Sequence, residues 1–194
     1  MILSALSLFL YNCHKDAHAG QESESLMADI ELLIAAQLAE SSTPNQSKEA
    51  GAVDSPSPAP LDPELPAVIL EGYEYVGYVE IPTLWVKLPV MADWNYNRLE
   101  IAPCRQFGSS RTDDLVIVAH NYRSHFGGLK DLKEGDSVIF TDMEGIINTY
   151  SVAKIETLKP TDVDTVQNSD YDLVLYTCTY GGQTRVAVFC NRSE

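Results

Sequence analysis

Three residues of the chain, Cys178, Arg185 and His120, carry the side chains that acyl-transfer chemistry requires. Cys178 and Arg185 stand on either side of a glycine pair in LYTCTYGGQTR. A cysteine with the ordinary pKa of about 8.5 is mostly un-ionised at pH 7, so a reactive cysteine needs a neighbouring imidazolium or guanidinium. An arginine can also stabilise the oxyanion that forms when a thiolate attacks a carbonyl. The residue types suggest a Cys-His-Arg acyl-transfer site, provided that the fold brings them together.

The segments around these residues alternate as β-strands do. In DLVLYTC, Tyr176 and Cys178 share one face and Thr177 lies on the other. RVAVFC alternates in the same way after the short loop TYGGQT, which permits an antiparallel hairpin with Cys178 beside Arg185. His120 ends the apolar segment DLVIVAH, so we expect it at the same rim. Each residue also has a structural interpretation (a packed thiol, a hydrogen-bonded imidazole, a solvated guanidinium), and spacing alone does not decide between the two.

The C-terminal part of the chain has the pattern of a mostly β domain. Short runs rich in β-branched and aromatic residues are separated by turn residues, and most of them have no long helical pattern between them. Seven or so strands of this kind favour a closed or nearly closed β-barrel over a βαβ sheet, and we predict a closed barrel of about eight strands with short helices. The candidate strands are residues 73–81, 84–90, 115–120, 137–141, 146–156, 172–178 and 185–191.

The N-terminal part predicts three further segments. Residues 1–12 contain an apolar run about half as long as a bilayer crossing, which we interpret as a partial membrane anchor. Residues 13–40 predict a stalk helix outside the main domain, because leucines and isoleucines recur at helical spacing. Residues 41–68 are rich in Pro and Ser and predict a flexible linker. The barrel then comprises residues 69–194.

Composition restricts the partners and the redox chemistry. The formal net charge of -15 makes binding to nucleic acid or to an anionic surface unfavourable. Four scattered cysteines without a CxxC pair favour neither a disulfide framework nor a zinc site. We therefore expect no nucleic-acid partner and no metal.

Three ordered motifs resemble those of the sortases, the membrane-anchored cysteine transpeptidases of Gram-positive bacteria. LVLYTCTYGGQTR is similar to the sortase segment in which TLxTC is followed by a loop and an arginine. AHNYRSHFGGLKDLKEGDSVIF is similar to the segment in which a strand ends in a histidine and continues through F-x-x-L-x-x-L-x-x-GD. GYVEIPTLWVKLPV resembles the first hairpin of the sortase barrel. The resemblance covers roughly residues 72–192. Val174 and Ala119 depart from the usual motifs and leave the sortase class open.

The resemblance implies a role for each site residue. Cys178 would be the nucleophile, His120 the general acid, and Arg185 the residue that holds the substrate backbone and stabilises the oxyanion. Thr177 would line the substrate groove. The implied activity is cleavage of an LPxTG-like C-terminal sorting signal and transfer to an amine, without a cofactor.

The implied partners are surface proteins or pilins, with a peptidoglycan precursor or a pilin lysine as acceptor. The implied location is the outer face of the membrane. Two alternatives stay open, namely a cysteine peptidase that transfers the acyl group to water and a barrel that only binds surface peptides.

Other reactive residues are weaker candidates. His125 is the alternative candidate for the catalytic histidine. By the alternation of its strand, Cys190 faces the core. Cys104 is expected in a long loop as a structural thiol. Three further groups could bind a metal or form a lid, but a simpler structural interpretation is favoured for each. They are Cys13 with His14 and His18, the pair Asp113 and Asp114, and Asp93 with Trp94 in the region 91–110 where a lid would fall.

Overall fold

The computed structural model describes residues 2–41 and 61–193 of the 194-residue chain. Most of the predicted linker falls on residues 42–60 and lies outside the described residues. Three α-helices, two short 3-10 helices (Pro82–Leu84 and Leu129–Asp131) and nine strands are present within the described ranges. The helices are α1 (Ile2–Ser41), α2 (Tyr96–Leu99) and α3 (Val163–Gln167). The strands are β1 (Val68–Leu70), β2 (Tyr73–Ile81), β3 (Val86–Met91), β4 (Cys104–Phe107), β5 (Leu115–Ala119), β6 (Ser137–Asp142), β7 (Ile147–Leu158), β8 (Leu173–Cys178) and β9 (Arg185–Arg192).

Eight of the described strands close into a barrel, as predicted. The strands follow each other in the order β2-β3-β4-β5-β8-β9-β7-β6, and the pairing of β6 with β2 completes the ring. β1 adds a short antiparallel pair to β2. Most neighbours are antiparallel, but β5 and β8 run parallel along their whole paired length. The two strands that precede His120 and contain Cys178 are therefore direct neighbours that point the same way.

Strand alternation decides which side chains fill the barrel. Leu173 and Leu175 of β8 lie in the inner core, whereas Val174 and Tyr176 pack on the outer face. Because successive side chains of a strand point to opposite faces, Cys178 belongs with Tyr176 on the outer face. The candidate site therefore lies on the outer wall of the barrel and not in its interior.

Helix α1 packs on the barrel, which differs from the expectation of a helix outside the main domain. Leu26, Ile30 and Ile34 are buried against an apolar patch on the outer barrel surface that includes Tyr75 and Met91. Such an apolar helix stripe needs a partner surface, and the barrel wall provides one. The helix is continuous from Ile2 and so includes the described part of the predicted anchor and stalk. Among the described residues, no helix is both long and apolar enough to cross a membrane.

Two short strands were missed in the sequence. β1 has three residues, too few for alternation to be visible. β4 begins at Cys104, which we had placed in a loop, and meets β3 through a single pair with Met91. Leu65, within the predicted linker, is buried in the barrel core. The barrel domain therefore includes at least Leu65, a few residues before the predicted boundary.

Candidate active site

The β8–β9 hairpin holds Cys178 opposite Arg185. These two residues are the last pair of the antiparallel register, next to the pair Thr177 and Val186. Both side chains are half-buried. The hairpin register predicted from the sequence is confirmed, and it sets the thiol and the guanidinium beside each other where the sheet opens into the loop.

The glycine pair is required by the shape of this loop. Gly181 and Gly182 have φ angles of 86° and 72°, in the left-handed region that residues with a Cβ rarely adopt. The loop closes on itself, since the Thr179 N–H donates to the Thr184 carbonyl over 2.9 Å and the Gly182 N–H donates to the Thr179 carbonyl over 2.8 Å. This reversal returns the chain to Arg185 in register.

His120 enters the same site from the neighbouring strand. Ala119, the last residue of β5, pairs with Thr177 in the parallel register, so His120 and Cys178 are the next residue on each strand. Below them the Thr177 hydroxyl donates to the Ala119 carbonyl over 2.8 Å. The ends of two parallel strands and the start of a third thus bring imidazole, thiol and guanidinium to one rim.

A cleft of about 250 Å³ connects the three side chains. Cys178, His120 and Arg185 all line it. One wall comes from α2 and the segment before it, and the opposite wall comes from the end of β7 and from α3. The apolar wall residues are Trp94, Tyr96, Leu99, Val118, Leu158, Pro160, Val163 and Val166. An open apolar cleft with a few polar groups at one end suits an extended peptide.

The pKa of His120 is lowered from its ordinary value, mainly because burial disfavours the charged ring. Glu100 opposes this shift and Lys15 of α1 adds to it, and these two residues form an ion pair of 2.7 Å beside the site. The ring of His120 lies 4.7 Å from the ring of Tyr122. The neutral imidazole is favoured, and this form can accept a proton from a thiol and pass it on.

Comparison with known proteins decides the family. A sequence model of the sortase domain matches residues 79–193, more than half of the chain. The chain belongs to the sortase family. Members of this family are generally cysteine transpeptidases. A comparison with curated proteins finds no match.

Solved sortase structures share the fold. Sortase A from Corynebacterium diphtheriae has a TM-score of 0.58 and 23% identity, over 63% of this chain and 62% of that one. Sortase C1 from Streptococcus suis has a TM-score of 0.55 and 29% identity, over 63% of this chain and 74% of that one. Clostridium perfringens sortase C, solved with its C-terminal cell wall sorting motif, has a TM-score of 0.55 and 26% identity, over 62% and 71%. The chain thus spans less than two thirds of the C. diphtheriae enzyme.

Thr177 of this sortase points away from the cleft. Its side chain is buried, and its hydroxyl is hydrogen-bonded to the Ala119 carbonyl. It does not appear among the described residues that line the cleft. The alternation of β8 already gave the signal, because Thr177 shares the face of Leu173 and Leu175. Its position suits a residue that joins the two strand ends, whereas we had expected it to line the substrate groove.

The segment that would correspond to a lid contributes an aromatic wall. Trp94 lines the cleft, and its ring meets that of Tyr96 edge to face at 5.9 Å. Asp93 forms an ion pair with Arg98 at 3.3 Å and does not reach Arg185. A larger cavity of about 700 Å³ borders Trp94 on its other side, but none of the three candidate catalytic residues lines it.

The remaining candidates have structural surroundings. Cys190 is buried in the barrel core, as predicted, and burial raises the pKa of its thiol to about 12. Cys104 is also buried, and its pKa is raised to about 12 for the same reason. The Asp113 carboxylate accepts a hydrogen bond from Arg192 over 2.8 Å, and the Asp114 carboxylate accepts one from the Ser109 N–H over 2.9 Å. Within the described residues, no cluster of His, Cys, Asp or Glu could hold a metal ion.

His125 does not enter the cleft. It is fully buried, and burial lowers its pKa to about 4. Its Nε2 lies 3.3 Å from the Ser23 hydroxyl of α1. Sequence reasoning missed this link, as it missed the salt bridge of Lys15 with Glu100 near His120, because α1 was expected to lie apart from the barrel.

Proposed function

We propose that this sortase is a cysteine transpeptidase that uses Cys178, His120 and Arg185. It would cleave a C-terminal sorting signal of the LPxTG type and transfer the acyl group to an amine. The observation that carries the proposal is the strand register, which brings all three side chains to one cleft with apolar walls. A sorting-motif complex of Clostridium perfringens sortase C supports the substrate class.

In the proposed first half-reaction, the Cys178 sulfur attacks the carbonyl carbon of the scissile peptide bond while its proton passes to His120. The carbonyl oxygen becomes an oxyanion, which Arg185 stabilises. The carbon–nitrogen bond then breaks, and His120 returns the proton to the departing amine. A thioester on Cys178 and a free amine result.

The second half-reaction reverses these roles. An incoming amine attacks the thioester carbonyl, His120 takes its proton, and the carbon–sulfur bond breaks. The sulfur recovers the proton from His120, which leaves a new amide bond and the resting enzyme. No redox step and no cofactor is needed.

The Arg185 guanidinium has more N–H donors than its own loop uses. In the structure its Nη1 donates to the carbonyls of Gly182 and Thr184, each over 3.0 Å. A guanidinium carries five N–H donors in a planar fork. Its own loop therefore orients the group while further donors stay open to a substrate carbonyl or oxyanion.

Location and partners follow the family and form part of the proposal. We infer that the enzyme acts on the outer face of a Gram-positive membrane, on surface proteins or pilins that carry a sorting signal. The acceptor would be an amine of a peptidoglycan precursor or a pilin lysine.

The test is amine incorporation by the full chain. Labelled LPxTG-type peptides are incubated with the enzyme, with and without triglycine, and the products are identified by mass spectrometry. We expect a triglycine-ligated product that depends on Cys178. Release to water alone, even with abundant triglycine, would instead identify a peptidase. No cleavage, together with a Cys178 that resists alkylation until unfolding, would identify a barrel that only binds peptides.

A further inference from the structure

The loop that carries His120 is a compact unit. The Phe126 N–H donates to the His120 carbonyl over 3.1 Å, and the His125 and Gly127 N–H groups both donate to the Tyr122 carbonyl, over 3.0 and 2.9 Å. A Cβ on Gly127 would lie only 2.7 Å from the Tyr122 carbonyl oxygen. Because the loop folds back on the His120 backbone carbonyl, a contact that fixes its middle also restrains the backbone that carries the imidazole.

Helix α1 makes such a contact through Asp16. The Asp16 carboxylate accepts the Ser124 backbone N–H over 2.9 Å and the Ser124 hydroxyl over 2.6 Å, while the Asp16 backbone carbonyl lies 3.0 Å from the same hydroxyl. Hydrogen bonds to a carboxylate are shorter and stronger than those between neutral groups. Ser124 lies at the centre of the His120 loop, so a charged residue of α1 holds this loop by two bonds.

A second contact lies two turns further along α1. Ser23 is buried; its hydroxyl donates to the Ile101 carbonyl over 3.1 Å and lies 3.3 Å from His125 Nε2. A hydroxyl has a single proton, so when it donates to Ile101 its oxygen accepts from Nε2–H of His125. Ser23 thus joins the His120 loop to the segment that follows α2.

Gly20 lies between these contacts on the same face of the helix. Glycine is a poor residue for a helix interior, so its presence there needs a reason. A Cβ at this position would lie 3.1 Å from the Ser124 Cβ, which is closer than ordinary packing allows. The missing side chain allows α1 to approach the loop closely enough for Asp16 to reach Ser124.

We propose that α1 is a positioning element of the active site, in which Asp16 and Ser23 fix the loop that sets His120 beside Cys178. The consequence for turnover rests on the proposed function; the consequence for the loop does not. Leu26, Ile30 and Ile34 anchor α1 to the barrel elsewhere. Loss of Asp16 should therefore loosen the loop without releasing the helix.

The test compares Asp16→Ala with Asp29→Ala in the full chain. Asp29 is exposed on the same helix, and no hydrogen bond or ion pair joins its side chain to other described residues. We expect Asp16→Ala to lower kcat about tenfold with little change in KM, because catalysis is sensitive to small displacements of a catalytic group. Asp29→Ala should leave both unchanged, and Asp16→Asn, which keeps an accepting oxygen, should recover part of the loss.

Two readouts separate positioning from a general loss of stability. Hydrogen exchange of the amides in residues 121–127 should become faster in Asp16→Ala and not in Asp29→Ala. The pKa of His120, followed by NMR of its ring proton, should rise toward the ordinary value because water reaches a looser loop. The charged or titratable groups around His120 are Lys15 of α1, Glu100 after α2, Tyr122 and His125 of its own loop, and Cys178 and Arg185 across the cleft.

The outcomes separate the two proposals. Equal exchange rates and equal His120 pKa values in Asp16→Ala and Asp29→Ala would overturn the role of α1, whatever the activity. A wild-type chain that transfers no acyl group would contradict the proposed function, yet exchange and the His120 pKa would still test the positioning. A second variant, Gly20→Leu, should push α1 away from Ser124 and reproduce the faster exchange.

Discussion

The β8–β9 hairpin and the His120 loop border the same cleft, but their positions are fixed by contacts of different range. Cys178 and Arg185 are set by a register within about a dozen residues of chain. His120 is set first by the parallel pairing of β5 with β8, and its loop is then held by a helix more than a hundred residues away in sequence. The cysteine and arginine should therefore be stable in position, whereas the histidine should depend on distant contacts.

Removal of the nucleophile, which belongs to the hairpin, should have the largest effect on peptide cleavage. We expect Cys178→Ala to abolish cleavage, because no other cysteine is found among the described residues that line the cleft. Cys13→Ala, which removes an exposed thiol of α1, should keep wild-type turnover. Residual cleavage by Cys178→Ala, measured with labelled sorting-signal peptides, would place the nucleophile elsewhere.

A change at the partner of Cys178 in the hairpin should have the next largest effect. We expect Arg185→Lys to lose about a hundredfold in kcat/KM, because a point-charge ammonium does not reproduce the guanidinium fork at the oxyanion. The matched control is Arg123→Lys, at an exposed position of the His120 loop, and it should stay near wild type. Near-normal steady-state kinetics of Arg185→Lys would remove Arg185 from the site.

The loop glycines test whether register alone positions Arg185. Gly182→Ala and Gly135→Ala place a Cβ at a similar positive φ and in open space, so each should cost about 1 kcal/mol of stability. Gly182 lies in the hairpin loop and Gly135 lies far from the cleft. We expect only Gly182→Ala to lower kcat/KM, by several-fold. Denaturation curves check that the two variants have similar stability. Similar kinetics for both variants would then show that the loop does not position Arg185.

The pH dependence of the His120 loop tests the same comparison through stability and not through turnover. Burial lowers the pKa of His125 to about 4, whereas an unfolded histidine titrates near 6.5. Between these values the unfolded chain binds a proton that the folded chain does not, so the free energy of unfolding should decrease as the pH falls from 6.5 to 4, by up to about 3 kcal/mol. In urea denaturation, His125→Gln should show a smaller decrease over this window; an unchanged slope would contradict the shift.

The sequence predicted those parts of the fold that depend on local patterns. The strand of residues 73–81 and the alternation of Leu173, Leu175 and Thr177 were correct because period-two patterns are visible in a single strand. β4 was missed because CRQF has no such pattern and pairs with β3 at one residue only. A strand such as β4 forms only because its neighbouring strands are already in place.

The short-range contacts of the site could be predicted from the sequence, and the long-range contacts could not. The hairpin pair of Cys178 and Arg185 followed from loop length and alternation. The contact of Asp16 with Ser124 could not be predicted, because it requires the outer barrel surface around Tyr75 to be assembled before α1 has a place to dock. His120 was expected at the rim because it ends an apolar segment, and motif resemblance gave its role, but the pairing of its strand with β8 is too long-range to be derived from spacing.

The most direct test of the account is to locate the acyl group on the protein. The full chain is trapped during turnover of a sorting-signal peptide without an added amine, digested, and mapped by mass spectrometry over its four cysteines, Cys13, Cys104, Cys178 and Cys190. We predict a thioester on Cys178 alone, which triglycine discharges to a ligated product. An acyl group on the exposed Cys13, or peptide cleavage with no acyl group on any cysteine, would contradict the proposed site.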